Sequence, residues 1–343
     1  MSVKIAINGF GRIGRLAFRQ IFDMEGYEVV AINDMTTPEM LVYLLKYDST
    51  QGTYQYADSM EYGDNYILVN GVKIPVFKET DAADLPWGTL EVDVVLECSG
   101  AYLSKEKSQA HINAGAKKVV ISAPAGTDIP TIVYGVNENI LTPEDKIISA
   151  ASCSTNALAP MVKALNDYAP ILSGIMTVVH GYTATQMLQD GPQRKGNFRR
   201  SRAAAINIIP TTAEAATAVG RVIPSLNGKL IGSAVRVPVP AGCLITLVAV
   251  VSGNELTAEK INASMKTAAT EIYGYTEEEY VSSDIVGITY ASLFDASQTL
   301  VNKVSENEYE IRVTAWFDNE NSFVSQMVRT VTYLNSFLLL SCE

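Results

Sequence analysis

The chain has 343 residues, an apolar share of 48% and a net charge of −11, with a pI near 4.8. That length exceeds what one core normally serves and implies two domains. The acidic balance excludes a general nucleic-acid or anionic-membrane surface, and four scattered cysteines (Cys98, Cys153, Cys243, Cys342) with no C-x-x-C pair argue against structural zinc or a disulfide framework.

The start, Met1-Ser2-Val3-Lys4, leads straight into a strand pattern without a signal-peptide core. No apolar run approaches the ~20 residues that span a bilayer. A cytoplasmic protein without a membrane or nucleic-acid partner and with no metal site is therefore expected. Val3 to Asn8 reads as a short strand, followed by Gly9-Phe10-Gly11-Arg12-Ile13-Gly14 and a helix carrying Leu16, Phe18, Ile21 and Phe22. A second strand, Glu28 to Asn33, ends in Asp34. A glycine-rich turn alone is weak. Between a strand and a helix, with an acid closing the next strand, it is the dinucleotide fingerprint. Gly9 makes the turn, Gly11 admits a pyrophosphate to the backbone N–H groups around Arg12 and Ile13, and Gly14 lets helix and strand pack closely. Asp34 would accept from ribose hydroxyls and repel a 2′-phosphate, which favours NAD over NADP.

Asn70-Gly71 between Tyr66–Val69 and Val72–Val76 predicts a two-residue hairpin. Buried strands are expected at Asp93–Glu97, running out into Ser99-Gly100, at Lys118–Ser122, and at Thr131–Tyr134. Small and polar strand ends suit the carboxyl edge of a parallel sheet, so Gly100 and Ser122 join the cofactor set. His111, on a helix between two of these strands, reads as a surface or boundary residue. The domain change is placed near Ile148–Ser152, giving residues 1–150 for the dinucleotide domain and 151–319 for a catalytic domain, with a terminal helix at about 320–343 packing back on the first.

Ala151-Ser152-Cys153-Ser154-Thr155-Asn156 precedes Leu158, Met161, Val162 and Leu165 at helical spacing. Cys153 would sit at a helix N-terminus, where unpaired N–H groups and the dipole favour a thiolate. A small buried thiol packing a helix start explains those residues equally well, and Pro160 predicts a kink or a late helix start. A strand from Ser173 to Val179 delivers His180, one of only two histidines. Alone it reads as structural; paired with Cys153 it reads as a base that lowers the thiol pKa. Arg194, Lys195, Arg199, Arg200 and Arg202 form a cationic loop that suggests anion capture rather than a solvated face. Arg236 opens Arg-Val-Pro before a long apolar strand, Leu244–Val251; with Ile311–Phe317 this predicts an antiparallel or mixed sheet and a large subunit interface. Ser322–Leu334 reads as a closing helix.

These motifs, in this order, resemble the phosphorylating glyceraldehyde-3-phosphate dehydrogenases over nearly the whole chain. Ile7-Asn8-Gly9-Phe10-Gly11-Arg12-Ile13-Gly14-Arg15 is similar to that family's opening, and Ser152-Cys153-Ser154-Thr155-Asn156 to its Ser-Cys-Thr-Thr-Asn. The resemblance implies an α/β protein, a Rossmann-type domain plus an α+β catalytic domain, assembled as a homotetramer. It implies that Cys153 attacks the aldehyde of glyceraldehyde 3-phosphate with His180 as base, that NAD takes the hydride, and that inorganic phosphate attacks the thioester. Thr183, Thr185 and Arg236 match residues holding the substrate's phosphate; Ser152, Ser154 and Arg199 match those around the attacking phosphate; Asn319 matches the asparagine that orients the nicotinamide amide.

The chain departs from the pattern where Thr212-Ala213-Glu214 replaces Ser/Thr-Thr-Gly, which removes a hydroxyl and adds a carboxylate beside an expected anion site. Weaker phosphate affinity is expected. Phe323 replaces a tyrosine and Ala157 a second cysteine. A sister chemistry, erythrose 4-phosphate oxidation with hydrolysis of the thioester, is the alternative; an added surface-binding role or a degenerate paralogue are further ones.

Overall fold

A computed structural model describes residues 2–194 and 196–340, so Lys195 and Cys342 lie outside the described residues. The chain forms two compact units: one of Met1–Ile132, Glu138–Ala151 and the chain from Met327 on, the other of Val133–Asn137 and Ser152–Gln326. The α/β class and the mixed sheets match the expected architecture.

In the first unit the strands are β1 (Val3–Asn8), β2 (Tyr27–Asn33), β3 (Met60–Gly63), β4 (Tyr66–Val69), β5 (Val72–Phe77), β6 (Val94–Glu97), β7 (Lys118–Ile121) and β8 (Ile147–Ser149). They form one sheet in the order β3-β4-β5-β2-β1-β6-β7-β8. β5, β2, β1, β6, β7 and β8 run parallel, and β3 and β4 close one edge antiparallel. β6 and β7 are buried at every position, the continuous apolar pattern of a strand covered on both faces. The register places Asn8 beside Asn33 on one side and beside Glu97 on the other, so three polar residues share one level at the carboxyl edge. Helix α1 (Arg12–Ile21) buries Leu16, Ala17, Phe18 and Ile21. Helices α2 (Pro38–Lys46) and α3 (Lys105–Asn113) are capped by Thr37 and Ser104, each side chain accepting the N–H three residues on. The hairpin turn has φ of 48° at Asn70 and 79° at Gly71, the left-handed pair a tight hairpin needs.

Two expectations fail here. Thr131–Tyr134 is not a strand: Thr131 makes only an isolated bridge to Ser149, and β8 takes the place beside β7. The cause is local. The Val133 N–H is captured by the Asn137 side chain at 2.8 Å, while the Val133 carbonyl accepts from Val136 and Asn137, which turns the chain away. His111 is no surface residue; it is fully buried, between Glu97 and Trp87.

The second unit holds α4 (Cys153–Tyr168), β9 (Ile171–Gly181), β10 (Ile209–Thr212), α5 (Ala215–Val222), β11 (Leu230–Val237), β12 (Cys243–Ser252), α6 (Ala258–Thr267), β13 (Tyr273–Thr276), β14 (Ser292–Asp295), β15 (Leu300–Lys303) and β16 (Glu308–Phe317); α7 (Asn321–Leu340) then closes the chain. Its sheet has the order β10-β11-β9-β12-β16-β14-β13, with β15 beside β16. β9 is parallel to β11 and antiparallel to β12. Along β12 burial alternates, with Cys243, Ile245, Leu247, Ala249 and Val251 inside, so one face of the sheet is covered and the other open. Helix α4 starts at Cys153 itself and carries Pro160 within it. The late start suggested by Pro160 does not occur, because Ser152 caps the first turn with its hydroxyl on the Thr155 N–H.

Candidate active site

The glycine loop of the first unit lies between β1 and α1. Gly9 has φ +91°, and a Cβ there would meet the Ser99 nitrogen at 2.5 Å; a Cβ on Gly14 would strike the Gly9 carbonyl; one on Gly11 would meet nothing within 4 Å. Two glycines are thus required by packing, and the third leaves an open approach to the backbone at the start of a helix, a fit for a pyrophosphate. A cavity of about 390 Å³ opens there, walled by Gly9, Gly11, Asp34, Glu79, Cys98 and Ser99. The Asp34 carboxylate accepts from the Phe10 N–H at 2.7 Å and the Thr36 N–H at 3.0 Å, so it fixes the loop while facing the cavity. Arg12 turns its guanidinium to Asp48, at 2.9 and 3.1 Å; with Ile13 it offers the cavity backbone rather than side chain. Gly100 (φ +74°) and Ser122 follow β6 and β7 without walling the cavity. Ser122 bonds the Cys98 thiol, which burial pushes up to about 12.

In the second unit the sequence-predicted pair comes together. Ala151, a buried non-glycine residue at φ +61°, leads the chain into the Ser152 cap, the kind of strained backbone that concentrates at functional sites. Cys153 then opens α4, its Sγ 3.5 Å from His180 Nε2. His180 lies inside β9 rather than beyond its end, and the β9–β11 register sets Arg236 directly opposite. His180 Nδ1 is 2.7 Å from the Gly181 carbonyl and 2.7 Å from Arg236 Nη1; Arg236 Nη1 also donates to that carbonyl at 3.0 Å.

The electrostatics reverse one expectation. Burial pushes the Cys153 thiol above its ordinary value, opposed by Arg236 and by hydrogen bonds from Ser154 and the helix-start N–H groups. Burial, and then the Arg236 charge, lower His180 to about 3. On both partners burial therefore opposes the charged thiolate–imidazolium pair. The helix terminus acts in the predicted direction, but desolvation outweighs it.

Thr183 and Thr185 bond each other at 2.9 Å. Arg200 donates to Thr185 at 2.7 Å and to Thr211 at 3.3 Å, and its charge is felt by both His180 and Arg236. Arg199, the expected phosphate ligand, is exposed and walls a different cavity with Thr211, Thr212 and Val235. The short 3₁₀ turn Arg199–Ser201 sets neighbouring side chains about 120° apart, so Arg200 is the one that reaches Thr185. Arg202 pairs with Asp190 at 2.8 Å, so among the described cations of the loop it is engaged apart from Arg200. Ser152 is committed to its cap, and the Ser154 hydroxyl lies 4.0 Å from the Cys153 sulfur. Glu214 is exposed at the N-cap of α5. Asn319 is buried and accepts from the Cys243 thiol at 3.3 Å, while that sulfur accepts the Gly181 N–H at 3.2 Å. Cys243 thereby links the residue after His180 to Asn319. Its place in an apolar strand hid this link from sequence reasoning.

Residues 152–319 match the family profile described as "Glyceraldehyde 3-phosphate dehydrogenase, C-terminal domain", and residues 3–105 match its "NAD binding domain". The chain is 54% identical to the glyceraldehyde-3-phosphate dehydrogenase of Clostridium pasteurianum over 330 residues, 96% of this chain and 98% of that protein. It is likewise 54% identical to the Clostridium acetobutylicum enzyme over 96% of this chain and 98% of that one. To the Streptococcus pyogenes serotype M1 enzyme it is 51% identical over 97% and 98%. With its cofactor, NAD, named by the matched domain, the chain belongs to the glyceraldehyde-3-phosphate dehydrogenase family.

Proposed function

We propose that this protein oxidises glyceraldehyde 3-phosphate to an acyl phosphate with NAD and inorganic phosphate, the glycolytic reaction of its family. The observation that carries the reading is Cys153 Sγ at 3.5 Å from His180 Nε2, within proton-transfer reach. The Cys153 sulfur forms a bond to the aldehyde carbon as its proton passes to His180 Nε2, which hands that proton on to the carbonyl oxygen to complete a thiohemiacetal. His180 then takes the hydroxyl proton of that adduct as it is oxidised to a thioester. Bound NAD supplies the hydride acceptor; Gly9, Gly11, Asp34 and the first turn of α1 would hold its adenosine end, and Asn319 its carboxamide. A phosphate oxygen attacks the thioester carbon, the C–S bond breaks, and Cys153 recovers a proton through His180.

Thr183, Thr185, Arg200 and Arg236 serve as the anion cradle, with Ser152 and Ser154 at the mouth of the helix. The open face of the second sheet exposes Ile175, Ile231, Val248 and Leu300, an apolar surface suited to a subunit interface in a homotetramer. Among the described residues no helix is long and apolar enough to cross a membrane, and a cytoplasmic location agrees with the free thiols. The test is NADH formation from glyceraldehyde 3-phosphate with and without phosphate, repeated for Cys153→Ser. A phosphate-independent rate would favour the hydrolytic sister chemistry that Glu214 brings to mind, with erythrose 4-phosphate as substrate.

A further inference from the structure

We propose that Glu97 and His111, buried beneath the dinucleotide cavity, are positioning residues that set the glycine loop for cofactor binding. The inference rests on the reading that this cavity takes the adenosine end of NAD. Glu97 ends β6 and is 1% exposed; His111 comes from α3 and is 0% exposed. Each carboxylate oxygen of Glu97 accepts two donors: Oε2 from Asn8 Nδ2 at 2.5 Å and His111 Nε2 at 3.1 Å, Oε1 from the Ser99 N–H at 2.8 Å and Ser99 Oγ at 2.5 Å.

The polarity of this network is forced. Trp87 can only donate, and its Nε1–H reaches His111 Nδ1 at 3.0 Å. Nδ1 is therefore an acceptor, and the ring's one proton sits on Nε2, aimed at Glu97. On the other side, Asn33 Nδ2 donates to Asn8 Oδ1 at 2.8 Å, and the Asn33 oxygen accepts the Glu79 N–H at 2.9 Å. The side chains that end β2, β1 and β6 are thus tied in one line along the sheet edge. The residues that follow them, Gly9, Asp34, Cys98 and Ser99, wall the cavity.

A buried, fully satisfied polar network is rigid, and losing one donor leaves a buried charge seeking another. Gly9 transmits the consequence, because its backbone packs directly on Ser99. If His111 no longer holds Oε2, Glu97 shifts, and Ser99 and the loop shift with it. Tyr102, whose ring lies 4.9 Å from the His111 ring, and Trp87 close the remaining sides, so the pair has no access to water as a substitute donor.

The experiment compares wild type with His111→Leu, His111→Gln and Glu97→Gln in the full-length enzyme. NADH dissociation constants come from fluorescence titration, and KM for NAD, KM for the aldehyde, kcat at saturation and the rate of Cys153 alkylation by iodoacetamide are measured alongside. His111→Leu and Glu97→Gln, the latter placing an amide N–H among four donors, are expected to weaken NADH binding at least tenfold. KM for NAD should rise in parallel, with kcat and the alkylation rate within twofold of wild type. His111→Gln, which still offers Glu97 an N–H, should bind NADH at least threefold tighter than His111→Leu. NADH affinity within twofold of wild type in Glu97→Gln overturns the proposal, and that variant decides alone if His111→Leu fails to fold. Equal weakening in both histidine variants, or a matched loss of alkylation, overturns it too, since either marks general damage. A wild type that fails to bind NADH would instead defeat the reading of the cavity.

Discussion

Replacing Arg236 by Gln should raise the His180 pKa by about two units. In the wild-type site, burial and the Arg236 charge together hold His180 near 3, with the guanidinium nitrogen 2.7 Å from Nδ1. With charge centres roughly 4–5 Å apart and an effective dielectric near 20, the repulsion is about 3–4 kcal/mol, or 2–3 pH units, as an upper figure. Burial remains in the variant, so the ring should still titrate below its ordinary value. The chain has only two histidines, and an NMR pH titration of ¹⁵N-histidine-labelled protein resolves both. The same spectrum reads the tautomer. Nδ1 cannot both donate to the Gly181 carbonyl and accept from Arg236. Only the Nδ1–H form presents Cys153 with a free Nε2 lone pair. Binding a phosphate ester such as glycerol 3-phosphate should draw the Arg236 charge to the anion and leave the Nδ1–H form dominant. A wild-type His180 that titrates near 6.5, or an unmoved titration in Arg236→Gln, would refute the reasoning.

The lowered His180 value also shapes stability. The folded ring binds its proton less readily than the unfolded one, so between pH 6.5 and about 3 the unfolded state holds more protons and stability falls as pH falls. The destabilisation approaches about 5 kcal/mol at the acid limit and is absent above pH 7; His180→Asn should flatten this dependence in denaturant titrations at pH 4.5 and 7.5, and an unchanged slope would count against it. Arg200→Leu should raise KM for glyceraldehyde 3-phosphate or phosphate at least tenfold while Arg199→Leu stays within threefold, and the opposite ranking would restore Arg199 as the ligand. Ala213→Thr with Glu214→Gly should lower the phosphate KM several-fold, in line with a screened repulsion of about 1 kcal/mol; no change would clear Glu214 of any influence on the anion.

Local and short-range features were the ones that could be read from the chain. The glycine loop, Asp34 and the Asn70-Gly71 turn each depend on a backbone conformation or a close approach that one residue type satisfies, so their spacing carries the information. Cys153 and His180 were found because a helix start and a strand end are visible as changes of hydrophobic period. Features set by tertiary register were not. Arg199 and Arg200 are adjacent cations, and only the turn decides which faces the threonines. His111 looked like a boundary residue because its partners, Glu97 and Trp87, are 14 and 24 positions away. Cys243 looked like core because a strand pattern says nothing about what an inward sulfur touches.

The thiol shows why the sign of an effect can be legible while its outcome is not. The helix start stabilises a thiolate in any sequence that places a cysteine there, and Arg236 adds to it. Desolvation opposes both and depends on everything packed around the sulfur, which no local pattern records. Where burial wins, the cysteine need not rest as an anion to be a nucleophile. It needs an acceptor aligned with its S–H, and at 3.5 Å His180 Nε2 is that acceptor once Nδ1 holds the ring proton. The same burial that raises the thiol favours the neutral form of His180, which leaves the ring a lone pair to offer. Both shifts make proton transfer from Cys153 to His180 uphill in the resting site, so bond formation to the carbonyl carbon must draw it, and the histidine's tautomer decides whether Nε2 is open to receive it.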